Sequence, residues 1–209
     1  MAQPATSRYD EQRNQAIRAA AAVFAEKGFH GASTRDIADR LGIKQGSLYY
    51  YFKSKEEALG EVCLYGIENY VSRMEGIAAS NQPFEAKLLS TVMSHLTSYR
   101  ERNEALKVHN DERLYLPEEK RTRLKELGSR YRQRLEDIFD AGVGSGSVRP
   151  DIDCHFAAQA VIALCNAWGD HIVRDPALDV LDVAQKCTDL LIHGFRDRRG
   201  MPNNKVTDT

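Results

Sequence analysis

Long apolar runs are missing from this 209-residue chain. Those present, such as Ala160 to Cys165, fall far below the roughly 20 residues that a membrane-spanning helix needs. The opening residues, "MAQPATSRYD", carry no hydrophobic signal core, which argues against export and for a cytoplasmic protein. Cysteine is sparse as well. Cys63, Cys154, Cys165 and Cys187 are scattered without a CxxC pair, so they read as small buried hydrophobes in a reducing compartment, not as a disulfide frame or zinc site. Catalytic signatures are absent: there is no GxSxG, no HExxH, no GxGxxG and no Walker pattern. The glycine-rich stretch from Gly142 to Gly146 follows a helix, so it ends that helix and holds no phosphate. No catalytic residue, metal or cofactor is therefore expected.

Charge of one sign is also lacking, with 29 Lys and Arg against 30 Asp and Glu. The balance is uneven along the chain, however. Residues 1–55 hold nine basic and five acidic side chains, leaving the remainder of the chain net acidic. A small basic head on a larger acidic body argues that the head alone meets a polyanion.

What is present is helical periodicity. Ile17, Ala20, Ala21 and Phe24 recur at i, i+3, i+4, i+7, so residues about 9–27 form an amphipathic helix ended by Gly28. Ser33 and Asp36 then stand at capping-box spacing before Ile37, Ala38 and Leu41. Gly42 breaks that helix and "IKQGSLYYYF" starts another, which is helix-turn-helix spacing. Ser54 and Glu57 form a second capping box, with Lys55 in the first turn. The helix dipole disfavours a cation there, unless an anion such as phosphate is shared with the free backbone N–H groups.

Three tyrosines and a phenylalanine in a row, Tyr49 to Phe52, cannot all face one core, because successive helical residues are about 100° apart. Leu48 and Phe52 are four apart and point inward. Tyr49 and Tyr50 are left facing outward. Further on, the pattern stays helical. Pro83 and Pro117 open two long helices, and residues 156–168 and 180–195 form two more. The helix at 156–168 is apolar all round apart from Gln159 and Asn166, which argues that it is covered on several sides, as at a subunit interface.

The stretch from Gly28 to Leu59, "GFHGASTRDIADRLGIKQGSLYYYFKSKEEAL", closely resembles the DNA-binding domain of the TetR family of bacterial transcriptional regulators. The resemblance is dense over about residues 12–60 and architectural beyond. It implies an all-α homodimer. Residues 8–55 would be the helix-turn-helix domain, with a second helix at about 34–41 and a recognition helix at about 45–51. Residues 56–197 would bind effector and dimerise, and 198–209 would be a disordered tail. It further implies that Thr34, Arg35, Tyr49, Tyr50 and Lys55 clamp phosphates. Lys44, Gln45 and Ser47 would face base edges, with Gly46 admitting close approach to the groove. Tyr51 is given a supporting role. The resemblance implies, too, that the partner is palindromic double-stranded operator DNA, released by ligand.

For the effector, "YRQRLEDIFDAGVGSGSVRPDID" followed by "CNAWGDHIVRD" is similar to TetR regulators that answer acyl-CoA thioesters in fatty-acid, aromatic-acid or steroid catabolism. The basic residues of 120–134 are a source of cations for its phosphates, unless they form a solvated face. His95, His109, Glu112 and Trp168 are the candidate effector contacts. His109 and Glu112 also stand at i, i+3, but a lone such pair is more often structural than metal-binding. A repressor of drug efflux is the alternative, and an all-helical enzyme a distant one.

Overall fold

The computed structural model describes residues 8–194, all of whose regular elements are helices. They are α1 (Arg8–Gly31), α2 (Thr34–Leu41), α3 (Gln45–Leu48), α4 (Lys55–Ala79), α5 (Phe84–Glu112), α6 (Glu118–Gly144), α7 (Cys154–Arg174) and α8 (Val180–His193). A single 3-10 turn, Arg113–Tyr115, joins α5 to α6. The expected disordered tail, residues 198–209, lies outside the described residues, as do residues 195–197. No helix among the described residues is long and apolar enough to cross a membrane.

α1 to α3 fold over the first turns of α4 to make the head. Ile17, Phe24, Ile37, Leu48, Phe52 and Leu59 are fully or almost fully buried there. Removing an aliphatic or aromatic side chain of that size from water is worth about 1.5–3 kcal/mol each. The capping box of α2 forms in both directions: Asp36 N–H donates to Ser33 Oγ at 3.2 Å, and Ser33 N–H donates to Asp36 Oδ2 at 2.8 Å. Ser54 caps α4 by accepting from Glu57 N–H at 3.1 Å. The Glu57 carboxylate turns instead to Lys53 N–H at 2.6 Å, so this second box is shifted by one residue. Pro83 and Pro117 sit at the N-cap, one place before the first turn that the sequence indicated.

α4 leaves the head and becomes a wall of the body, where α5, α6, α7 and α8 close around a second core of Met74, Leu88, Val92, Leu96, Leu135, Val161 and Ile172. α7 lies close against α5 because position 169 is glycine. A β-carbon there would stand 2.5 Å from the Tyr99 ring. Arg100 ties the α7–α8 connection down by donating to the carbonyls of Pro176 at 3.2 Å and Leu178 at 2.9 Å. Head and body meet where Phe29 stacks on Tyr115, with ring centres 5.7 Å apart, beside His30.

Candidate functional site

The head carries its polar chemistry on the outside. Gly42 adopts φ +74°, a left-handed conformation that glycine takes without strain, and turns the chain between α2 and α3. Ile43 N–H then bonds Ala38 O at 3.0 Å, which sets the two helices at a fixed angle. α3 is shorter than the 45–51 expected. Its regular helix ends at Leu48, and Tyr50 and Tyr51 continue it through tighter bonds to Ser47 O and Leu48 O. The tightening lets Phe52 fold back into the core, where it is 2% exposed.

Tyr49 and Tyr50 are 52% and 68% exposed, large values for aromatic side chains in a folded domain. Tyr50 is braced edge-on between Tyr9 of α1, 5.6 Å away, and the half-buried Tyr51, 5.3 Å away. Lys44, Gly46 and Ser47 are exposed beside them, and a side chain at Gly46 would meet no protein atom within 4 Å. Gln45 donates from Nε2 to Thr34 Oγ1 at 3.0 Å, so the first residues of α2 and α3 are tied together across the turn. Arg35 is almost fully solvated and only loosely placed near Asp39, at 3.9 Å.

Lys55 is placed differently from the phosphate clamp implied by the resemblance. Its ammonium donates to Phe29 O at 2.8 Å and Ala32 O at 3.0 Å, and stands 4.4 Å from the centre of the Phe29 ring. Two of its three protons are thus spent on closing the end of α1. The dipole conflict at the start of α4 is relieved by carbonyls of a neighbouring helix.

In the body, α4, α5, α6 and α7 enclose a cavity of about 380 Å³. Ile67, Tyr70, Val71, Leu106, Leu124 and Ile162 give it apolar walls. His95 lines it too, but both ring nitrogens are already used. Nδ1 lies 3.0 Å from Tyr131 Oη, and Nε2 lies 3.0 Å from Asn166 Oδ1. Tyr99 Oη donates to the same Asn166 oxygen at 3.0 Å. An acceptor oxygen beside Nε2 requires the proton there, so Nδ1 accepts from the Tyr131 hydroxyl and the imidazole is neutral. Burial agrees, pushing its pKa down to about 4. Burial likewise pushes Tyr99 up to about 12 and Tyr131 well above its usual value, so both remain hydroxyl donors.

Of the other proposed effector contacts, His109 lines the cavity, and burial holds it down to about 4. Glu112 and Trp168 do not. The Glu112 carboxylate faces the head, 3.2 Å from where a β-carbon on Gly28 would lie. Trp168 is 37% exposed on the outer side of α7, its ring 5.4 Å from His171. Tyr70, Tyr99 and Tyr131 are cavity residues that sequence reasoning did not single out, whereas Lys125 and Arg132 belong to the basic set of 120–134 named as a source of cations. Gln159 and Asn166 had a signal: they are the two polar interruptions in the apolar run of α7, seven residues and about two turns apart, and both face the cavity. The basic residues of α6 divide. Arg130 and Arg134 pair with Glu75 at 2.6 Å and Asp137 at 2.9 Å, whereas Lys125 and Arg132 stand at the cavity rim with carboxylates only at 3.9 and 3.7 Å.

A second, wider groove of about 1140 Å³ runs along the surface past Phe84, Phe139 and Phe156. Its buried polar side chain, Thr188, is satisfied by Ala184 O at 2.8 Å. Among the described residues no group of three His, Cys, Asp or Glu side chains could hold a metal.

Residues 16–62 match the bacterial regulatory proteins of the tetR family, and residues 81–195 match the tetracyclin repressor-like C-terminal domain. The HTH-type transcriptional repressor KstR2 of Rhodococcus jostii (strain RHA1) is 33% identical over 153 residues, 73% of this chain and 75% of that one. The TetR family regulator PfmR from Thermus thermophilus has a related structure. Its TM-score is 0.81 at 26% identity, over 87% of this chain and 99% of that one. The regulator FadR from Bacillus subtilis, solved in complex with stearoyl-CoA, gives a TM-score of 0.73 at 25% identity, over 88% and 99%. With the reading head and the helical body both matched, the chain belongs to the TetR family of bacterial transcriptional regulators.

Proposed function

We propose that the protein is a homodimeric repressor that binds a palindromic operator through Tyr49, Tyr50, Thr34 and Arg35 on phosphates and Lys44, Gln45 and Ser47 on bases, and that an acyl-CoA thioester releases it. The observation that carries the effector class is the cavity: apolar in its walls, about 380 Å³, with Lys125 and Arg132 at its rim. That volume suits an acyl chain or ring system, and the rim cations suit phosphates left outside. The similarity to FadR, whose structure holds stearoyl-CoA, supports the same class. For the dimer, support comes from α7 and α8, which expose Phe156 at 70%, Leu181 at 46%, Val173 at 38% and Trp168 at 37%. Lys55 serves the head by fixing α1 against α4, and Gly46 leaves room for the groove wall.

Gel-shift titration on DNA upstream of the protein's own gene tests the reading. Stearoyl-CoA should release the DNA, while free coenzyme A and stearate at the same concentration should not. Release by a hydrophobic cationic drug with no response to stearoyl-CoA would replace it with the drug-efflux reading.

A further inference from the structure

One side chain in the wall of the body cavity is both fixed and open. His95, Tyr99 and Tyr131 are buried there, whereas Asn166, which joins two of them, is exposed. Its Oδ1 is met by His95 Nε2 and by Tyr99 Oη, each at 3.0 Å. Among the described residues no protein group meets its Nδ2.

The bonds behind that amide decide which end faces inward. Turning the amide over would put Nδ2 against the same two partners. His95 Nε2 would then have to accept, and the ring proton would move to Nδ1 and be donated to Tyr131 Oη, 3.0 Å away. The hydroxyl proton of Tyr131, a side chain only 9% exposed, would be left without an acceptor among the described residues, which buried hydroxyls avoid. With Oδ1 inward every donor of the network is paired. Tyr131 O–H gives to Nδ1, and Nε2–H and Tyr99 O–H both give to Asn166 Oδ1. Asn166 therefore turns its two N–H groups away from the network, on the open side of the residue.

We propose that Asn166 recognises the thioester of the effector, donating from Nδ2 to its carbonyl oxygen. The inference rests on the acyl-CoA reading of the cavity. An exposed side chain on a cavity wall stands at the opening, and a ligand that enters acyl end first leaves its thioester there. A carbonyl oxygen accepts and cannot donate, so it complements an N–H group and not the hydroxyls, whose protons are already given to His95 and Asn166. Two buried donors hold the amide in place beforehand, so little side-chain freedom is lost on binding.

Calorimetric titration of the full-length protein with stearoyl-CoA and with S-octadecyl-CoA, in which a methylene replaces the thioester carbonyl, tests this. Asn166→Asp keeps an oxygen for His95 and Tyr99 but puts a second oxygen in the place of Nδ2. The unaltered protein should prefer stearoyl-CoA, and the Asp variant should cut that preference about five- to tenfold. Repulsion between the new carboxylate and the phosphates of coenzyme A falls on both probes alike, so the preference isolates the hydrogen bond. Should the Asp variant fail to fold, the side-chain amide proton resonances of Asn166 in the unaltered protein must move to lower field with stearoyl-CoA and not with S-octadecyl-CoA. A preference unchanged by the substitution, or absent from the unaltered protein, overturns the role of Asn166 while leaving an acyl-CoA effector standing. If the unaltered protein binds neither probe, both readings fall.

Discussion

Head and body bury different things. The head core is made of alanine, aliphatic and aromatic side chains, and its hydroxyls and cations, from Thr34 through Tyr50, lie outside. Among the described residues the buried polar ones, Thr91, His95, Ser98 and Thr188, all belong to the body. The proposed function accounts for the contrast. A polyanionic duplex is too large to be engulfed, so its reader needs a rigid apolar interior and an exposed polar face. A small hydrophobic effector is engulfed, so polar groups must be buried and satisfied around it.

The strongest way to break the comparison is at the outer face of the body. Phe156→Glu combined with Leu181→Glu should yield monomers by light scattering and lower operator affinity by about 10²–10⁴, because the second half-site becomes a separate binding event. Charges at Val161, by contrast, would enter the body core, where that side chain is 1% exposed, and unfold it. Wild-type monomers at micromolar concentration would contradict the dimer.

Acid should divide the regions next. His95 and His109 are both held to about 4 in the folded body, against about 6.5 in an unfolded chain. Above pH 6.5 neither state takes the protons, so stability is constant. Between pH 6.5 and 4 the unfolded chain binds them and the folded body does not, so stability falls as pH falls, by up to about 1.4 kcal/mol per pH unit for each histidine. Urea denaturation at pH 7 and pH 5 reads the difference. His95→Phe with His109→Phe should flatten the dependence, and an unchanged slope would contradict the neutral imidazoles.

Within the head, Gln45→Ala should cost about 1–3 kcal/mol on the best operator and relax preference at particular base pairs. Tyr49→Phe removes one phosphate-donating hydroxyl and should weaken all sequences alike by about 1 kcal/mol. The tie from Gln45 to Thr34 sharpens the first outcome, since reading a base requires that 3.0 Å bond to be exchanged for one to DNA. Identical effects of both substitutions across a panel of altered operators would dissolve the division of roles.

The head was legible because its signals are local. Ser33 and Asp36, Gly42, Leu48 and Phe52 lie within four residues of the partners that give them meaning, and their pattern matched a family. At Lys55 the local signal was incomplete. Its first-turn position signalled an anion, but the carbonyls that satisfy it come from Phe29 and Ala32, more than twenty residues away. The body cavity is built almost wholly from distant pairings, such as His95 with Asn166 across 71 positions, and no spacing rule reaches that far. Trp168 drew notice as a lone tryptophan, yet helical phase puts it on the outer side of α7, while Asn166 two residues earlier faces the cavity.

The central claim is that the cavity and the reading face are one coupled system, joined by α4 and by the contacts of Tyr115 and Glu112 with the end of α1. Coupling between two binding sites is reciprocal, and a free energy of about 1–3 kcal/mol changes affinity about 5- to 150-fold in either direction. Calorimetric titration of stearoyl-CoA into the free protein, and into the protein saturated with operator, tests the claim most directly. The account predicts that operator weakens stearoyl-CoA binding by the same factor by which stearoyl-CoA weakens operator binding. A stearoyl-CoA affinity identical with and without operator would contradict it.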